Sequence, residues 1–313
     1  MHKHWELRNV IERMQTADIG SLTHEYFNHN WRPGYFLDMV EQLKPFGLSW
    51  IAYWSLTDSL EELHFTPQQL CYLSKIVDVN LREQLKDLIV NRGTRRDLWS
   101  KEPLSEGSFA RRDVLGPEKV ILVKPKDDFN YEVQGALGKV ALSRSLYGPL
   151  LEVLADYRPL RLEDLHEALG ERATFDEVTD ALAILFDRGH VRIVNPSDAE
   201  IARSALTSRA LNQNIMDMAR VSNAPAYLGS PVTGSGINVS RVHQLFLLAR
   251  EEGARSPETY ARFAENVLAA QPREDQPDTR NVPKNRGCLR AEADAFEARH
   301  LPIYRALRIA DPT

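Results

Sequence analysis

The 313-residue sequence holds two cysteines, Cys71 and Cys288, far apart and neither in a Cys-x-x-Cys pair. That excludes a disulfide framework and a zinc knuckle, and a reducing compartment fits best. No apolar run approaches the ~18 residues that a spanning helix needs. The opening residues, MHKHWELRNV, contain no apolar signal-peptide core. A soluble cytoplasmic protein without membrane contact is the expectation. A basic excess is also missing, with 39 Lys and Arg against 44 Asp and Glu and a formal net charge of −5. That argues against a whole-protein nucleic-acid binder. There is no Gly-x-Ser-x-Gly elbow, no Walker loop and no turn of the kind that opens a Rossmann domain. No internal repeat is apparent.

What is present fills a sizeable core, since 43% of the residues are hydrophobic. The length suits two or three compact domains. Residues 5–19 carry sparse apolar positions at helical spacing. After Pro33, Phe36, Met39, Val40 and Leu43 predict a helix that Gly47 ends. LSWIAYWSL reads as a strand, with Leu48, Trp50, Ala52, Trp54 and Leu56 alternating onto one face. QQLCYLSKIV is helical after Thr66 and Pro67. NLREQLKDLIVNRG is the clearest helix, with Asn80 as cap, Leu81, Leu85, Leu88 and Ile89 as the buried stripe, and Gly93 as stop.

The fold class expected is α+β: a small α/β domain with an N-terminal helix over 1–105, a β-rich connector over 106–142, a winged-helix-like segment over 143–196, and a helical C-terminal part over 197–313. A Pro- and charge-rich loop at 271–287 is expected to be mobile. The winged-helix pattern rests on three helices, the third opened by a Thr174–Glu177 capping box, followed by the strand HVRIVNP.

Several groups of residues invite a chemical reading. In THEYFNHN, His24 and His29 lie five apart, which on a helix sets them about 140° from each other. On a strand they point to opposite faces. Neither geometry pairs them as the HExxH ligands of a zinc helix are paired, and no metal site is expected. An acid/base pair of His24 and Glu25 stays open. The simpler reading has His24, Tyr26 and Phe27 packing the domain while Asn28 and Asn30 turn the chain toward Pro33. RGTRRD gathers Arg92, Arg95 and Arg96, whose forks suit carboxylates and phosphates. The same arginines can complement a helix C-terminus or pair with Asp97. From Leu81 to Lys126 there are eleven Lys and Arg against seven Asp and Glu, a modest basic surface. GSPVTGSG lacks the Lys-Ser/Thr ending of a phosphate loop and reads as a tight turn into a helix at Ser240. In the winged-helix segment the third helix carries Asp176, Glu177, Asp180 and Asp187 against Arg188, and Ser143–Pro196 holds ten acids and six bases. DNA affinity rests mainly on phosphate neutralisation, so a protein-contacting role is favoured over DNA binding.

HEYFN, PGYFLDMVEQLKPFGLSWIAYWSL and LREQLKDLIVNRGTRRDL together resemble the methyltransferase regulatory domain family. The likeness runs on through the winged-helix segment, YLGSPVTGSGINVSRVHQLFLL and FEARHLPIYRALRI. Thr94 departs from the pattern, standing where the family commonly has an aromatic residue. In bacterial S-adenosylmethionine-dependent methyltransferases, the rickettsial-type protein lysine methyltransferases among them, this module follows a Rossmann methyltransferase domain. The resemblance implies a non-catalytic regulatory or substrate-recognition module. It implies no catalytic, cofactor or metal residue in these 313 positions. S-adenosylmethionine is expected on a partner or preceding domain, and a methyltransferase subunit and a protein substrate are the expected partners. His24, Glu25, Arg92, Arg95 and Arg96 are the candidate docking residues. Two alternatives stand beside this reading: a winged-helix DNA-binding regulator, and an enzyme in its own right that uses the His24 region.

Overall fold

The computed structural model describes residues 11–310 apart from 13, 18, 31, 102–110 and 271–285. Its helices and small sheets make an α+β protein. Two compact units emerge, one from Met1–Ala52 with Pro67–Ser105, the other from Tyr53–Thr66 with Glu106–Thr313. The stretch 53–66, expected within the first domain, thus belongs to the second unit. Of the helix expected over 5–19, residues 1–10 lie outside the described residues, while 11, 12 and 14–16 are helical. The mobile loop expected at 271–287 also lies outside them up to residue 285. Among the described residues, no helix is long and apolar enough to cross a membrane.

In the first unit, α1 (Ile19–Tyr26) and α2 (Phe36–Leu43) precede β1 (Ser49–Tyr53), followed by α3 (Pro67–Leu73), α4 (Val79–Val90) and β2 (Asp97–Ser100). β1 pairs with β2. α2 starts where the Asp38 carboxylate accepts the Tyr35 amide at 2.8 Å. It gives way to a 3-10 turn at Lys44–Phe46 and stops at Gly47, whose φ of 70° suits glycine. α4 is capped by Asp78, which accepts the Leu81 amide at 2.8 Å, and not by Asn80. It ends at Asn91, left-handed at φ 50°, two residues before the expected Gly93. Asparagine tolerates that region better than most side chains.

In the second unit, the central strand β3 (Lys119–Leu122) follows the short α5 (Arg111–Leu115). Next come the hairpin β4 (Glu132–Gly135) and β5 (Gly138–Ala141), then α6 (Arg144–Leu154), β6 (Leu160–Arg161), α7 (Leu162–Leu169), α8 (Phe175–Asp187) and β7 (Val191–Ile193). The sheet order is β6-β3-β7, antiparallel, with Val120 opposite Leu160 and Leu122 opposite Val191. The strand after α8 therefore pairs with one that precedes all three helices. After it the chain enters α9 (Asp198–Met218). β3, expected in a connector, is the middle of this core, with Ile121 and Leu122 fully buried. The capping box at Thr174 and Glu177 is present, and α8 buries Val178, Ala181, Leu182 and Leu185 against α6 and α7.

A second core in this unit gathers α9, the hairpin β8 (Tyr227–Ser230) and β9 (Ser235–Asn238), α10 (Arg241–Glu251), α11 (Pro257–Ala269), α12 (Arg286–Ala295), a π-helical turn Phe296–His300 and α13 (Leu301–Ala306). α10 is buried nearly all round, from Val242 to Ala249, as expected of a helix packed on every side.

Candidate functional site

α4 sits in this structure with its faces reversed from the pattern the sequence suggests. A 3.6-residue period puts Glu83, Lys86 and Asp87 on one side and Leu81, Leu85 and Leu88 on the other. The charged side is the buried one: Glu83 is 2% exposed, while Leu81 is 42% and Leu88 57% exposed. Of the expected stripe, Leu81 and Leu88 are thus turned outward while Leu85 and Ile89 are half-buried, and Val77 and Val79 are exposed as well.

The inversion has an electrostatic cause. Arg95 enters beneath the helix, and its guanidinium donates to Asp97 at 2.9 and 3.0 Å, to Asp87 at 2.9 Å and to Glu83 at 3.4 Å. Lys86 reaches Glu83 at 2.5 Å, and Arg92 lies 3.2 Å from the Asp87 carboxylate. Three carboxylates thus face three cations, the balance that makes buried charge tolerable. The Arg95 guanidinium also lies 4.1 Å from the centroid of the Phe36 ring, a cation–π contact. The Trp50 indole donates to Asp97 at 2.9 Å, and the Gln84 side chain accepts the Leu37 amide at 3.1 Å. Burial pushes the Asp87 carboxyl upward, against the pull of the Arg95 hydrogen bond and of the Arg95 and Arg92 charges.

This geometry sorts the candidate docking residues. Arg92 and Arg95 face the domain's own acids, with side chains 13% and 11% exposed. Arg95 ties α4 to β2 through Asp87 and Asp97, the pairing with Asp97 that the sequence also allowed, and Arg92 pairs with Asp87 at the end of α4. Arg96 is exposed. His24 is exposed on α1, and Glu25 lies on the same helix with its side chain outside the described residues. His29 is exposed in the turn that follows. The expectation that His24 and Phe27 pack the domain is overturned, since His24 is exposed and Phe27 is 74% exposed. Trp54, expected on the buried face of the first strand, is 65% exposed and lies beyond its end. Among the described residues, no three His, Cys, Asp or Glu side chains gather in the way a metal ion requires.

The acids of α8 all have partners in the second unit. Arg111 binds Asp180 at 2.7 Å and Asp176 at 3.5 Å, and Glu177 accepts the Thr174 amide at 2.8 Å. Asp187 accepts from the Ser55 hydroxyl and the Thr57 amide, both at 2.7 Å, and from the Thr57 hydroxyl. The helix that would read DNA is acidic, and its C-terminal end lies under the 3-10 turn Leu56–Ser59.

GSPVTGSG forms β8, its turn and the start of β9, as the tight-turn reading expects. The buried Asn212 side chain clamps Gly229, accepting its amide at 2.6 Å and donating to its carbonyl at 2.8 Å. The Ser230 hydroxyl donates to the Leu307 carbonyl at 2.8 Å. Those groups tie the turn to neighbouring helices rather than aiming at a phosphate.

One polar chain escaped the sequence reading. His243 on α10 is 5% exposed; its Nδ1 lies 2.9 Å from the Tyr304 hydroxyl and its Nε2 2.8 Å from Glu292 Oε1. Its two ring nitrogens thus engage the Tyr304 hydroxyl and the Glu292 carboxylate at once. The hydrogen bond from His243 holds Glu292 below the usual carboxylate range, and burial pushes the Tyr304 phenol upward. A phenol so buried is a poor nucleophile, and the trio joins α10, α12 and α13. Three side chains so widely spaced along the chain carry no local pattern that could have announced them.

Comparison with known proteins places this architecture. Residues 19–101 match the family described as a predicted methyltransferase regulatory domain. Sll1526 of Synechocystis sp. is 27% identical over 310 residues, covering 97% of this chain and 60% of that protein. The fold is similar to that of part of PKMT2 from Rickettsia typhi. Its structure in complex with AdoHcy matches 98% of this chain and 63% of its own, with a TM-score of 0.57 at 15% identity. A second PKMT2 structure gives a TM-score of 0.54 over 99% of this chain. The chain spans about three-fifths of the length of these relatives.

Proposed function

We infer that the chain is a non-catalytic regulatory or substrate-recognition module of an S-adenosylmethionine-dependent methyltransferase system. The methyl donor belongs to another domain or subunit, and this chain supplies orientation and contacts with a protein substrate. The family of residues 19–101 and the likeness in fold to a protein bound to AdoHcy support that reading. The observation that carries it is the inverted α4. Within the matched segment, the face that helical patterning would bury presents Leu81 and Leu88 outward. An exposed apolar pair on one helix face, one residue of it more than half exposed, supports a contact surface there. The occupant is the methyltransferase domain, with exposed His24 and Arg96 as polar contacts and Glu25 beside them in sequence.

The test has two arms. Tagged protein is used as bait, and the eluate is assayed for transfer of a labelled methyl group from S-adenosylmethionine. Activity is expected with the wild-type bait and is lost with L81D/L88D, whose melting temperature stays unchanged. Calorimetry of the chain by itself with S-adenosylmethionine is expected to give no heat of binding. Saturable donor binding with unaided transfer would overturn the reading.

A further inference from the structure

The second unit contains a cleft of about 600 Å³. Leu60, Leu115, Val120, Leu182, Phe186 and Val191 form its floor, drawn from the 56–62 stretch, α5, β3, α8 and β7. Leu56 and Ile193 at its mouth are 41% and 39% exposed. The volume lies within the roughly 300–1,000 Å³ of ordinary ligand pockets.

The rim is acidic. Glu61, Glu62, Glu118 and Asp180 line it, against the single cation Arg111. That guanidinium is already engaged by Asp180 and Asp176, so its charge is largely compensated. Glu62 and Glu118 are both exposed. The wall bearing Glu61 and Glu62 is held in place by three contacts. Asp187 gathers Ser55 and Thr57. His64 lies 3.1 Å from the Thr57 carbonyl and accepts the Ala136 amide at 3.2 Å. Leu63 crosses Gly135 so closely that a Cβ there would fall 1.9 Å from the Leu63 carbonyl oxygen. A groove built from rigid pieces is preorganised for its occupant.

An apolar floor under a ring of carboxylates fits a chain that is apolar on one side and cationic on the other. We propose that this cleft binds a cationic amphipathic peptide segment, with aliphatic side chains seated on the Leu60–Leu182–Phe186 floor and lysine or arginine against Glu61, Glu62 and Glu118. This gives the substrate-recognition half of the reading above a place and a chemistry, and it rests on that reading for its biological setting. The stretch 102–110 of the same chain, EPLSEGSFA, carries two glutamates and no base, so its charge does not complement the rim.

Fluorescence anisotropy with a labelled twelve-residue peptide of alternating leucine and lysine tests the proposal on the full chain. Saturable binding is expected, weakening as salt rises. The charge-reversed variant E62K/E118K should bind about tenfold more weakly while melting at the wild-type temperature, because both side chains are exposed. A183W, which fills the floor, should abolish binding; if A183W fails to fold, E62K/E118K still decides. A leucine–glutamate peptide should not bind. No saturable binding, equal binding of the acidic peptide, or indifference to E62K/E118K would overturn the proposal. The assay contains no methyltransferase, so its failure leaves the α4 docking experiment standing, and the reverse also holds.

Discussion

The guanidinium of Arg95 stacks 4.1 Å above the ring of Phe36 while two of its nitrogens hold Asp97. One side chain therefore links α2, α4 and β2 through a ring and three carboxylates. Replacing it leaves Glu83, Asp87 and Asp97 buried without their shared cation. Removing one partner of a buried ionic group typically costs about 3–5 kcal/mol. Arg95→Met is expected to lower the stability of the first unit by that order in urea unfolding. Arg95→Lys should rescue little, since an ammonium cannot present a planar fork to Asp97 and Asp87 together.

Leu88 tests the same helix from its other side. It is 57% exposed, so Leu88→Lys should change stability by no more than about 0.5 kcal/mol, as surface substitutions do. Glu83→Leu, which by pattern looks harmless, removes the ion pair with Lys86 and weakens the hold on Arg95. It is expected to cost several times more, read by the same urea titration.

That contrast shows where the sequence was legible. The helical period of residues 81–93 located α4 correctly, because spacing depends only on the chain itself. Which face turns inward depends on what the rest of the fold brings to it. Charged residues face water by default, and the default failed because Arg95 and Asp97, on a different element, supply ionic partners. The Thr174–Glu177 box and the tight turn at GSPVTGSG were readable because both are local. The stretch 53–66 groups with the second unit for the opposite reason. Its anchors are Asp187, Ala136 and Gly135, more than seventy residues away in sequence. The arginines of RGTRRD were found by their chemistry, but whether they faced solvent or the domain's interior could not be read from spacing.

Gly135 is the most constrained of those anchors. A Cβ would meet the Leu63 carbonyl oxygen at 1.9 Å and its carbon at 2.9 Å, both backbone atoms that cannot rotate away. Gly135→Ala must push the 53–66 stretch off the β4–β5 hairpin. The expected cost is about 1–3 kcal/mol, the scale of overpacking. Limited proteolysis should cut near residues 53–66 faster in this variant than in wild type. Gly138→Ala, whose position has open space but a φ of 116°, should strain only the hairpin turn and leave that cleavage rate unchanged.

Acid should loosen the second unit through two histidines. His190 is buried against Phe129, with Lys124 and Arg188 nearby, and burial with those charges brings its imidazole down to about 4. Burial and the neighbouring His243 bring His300 down to about 4 as well. In the unfolded chain both titrate near 6.5. Between those values the unfolded state takes up protons that the folded state refuses, so stability falls as pH drops. The contribution is whole above about pH 6.5, declines through the window and levels off below about 4. The melting temperature is expected to fall from pH 7 to pH 4.5, and His190→Gln should flatten part of that decline while lowering the plateau little. The fit of glutamine rests on the His190 Nδ1, which is buried without a hydrogen-bond partner, so no specific bond is lost. A melting temperature that stays level across the window would show that His190 and His300 ionise in the folded protein as they do in the open chain.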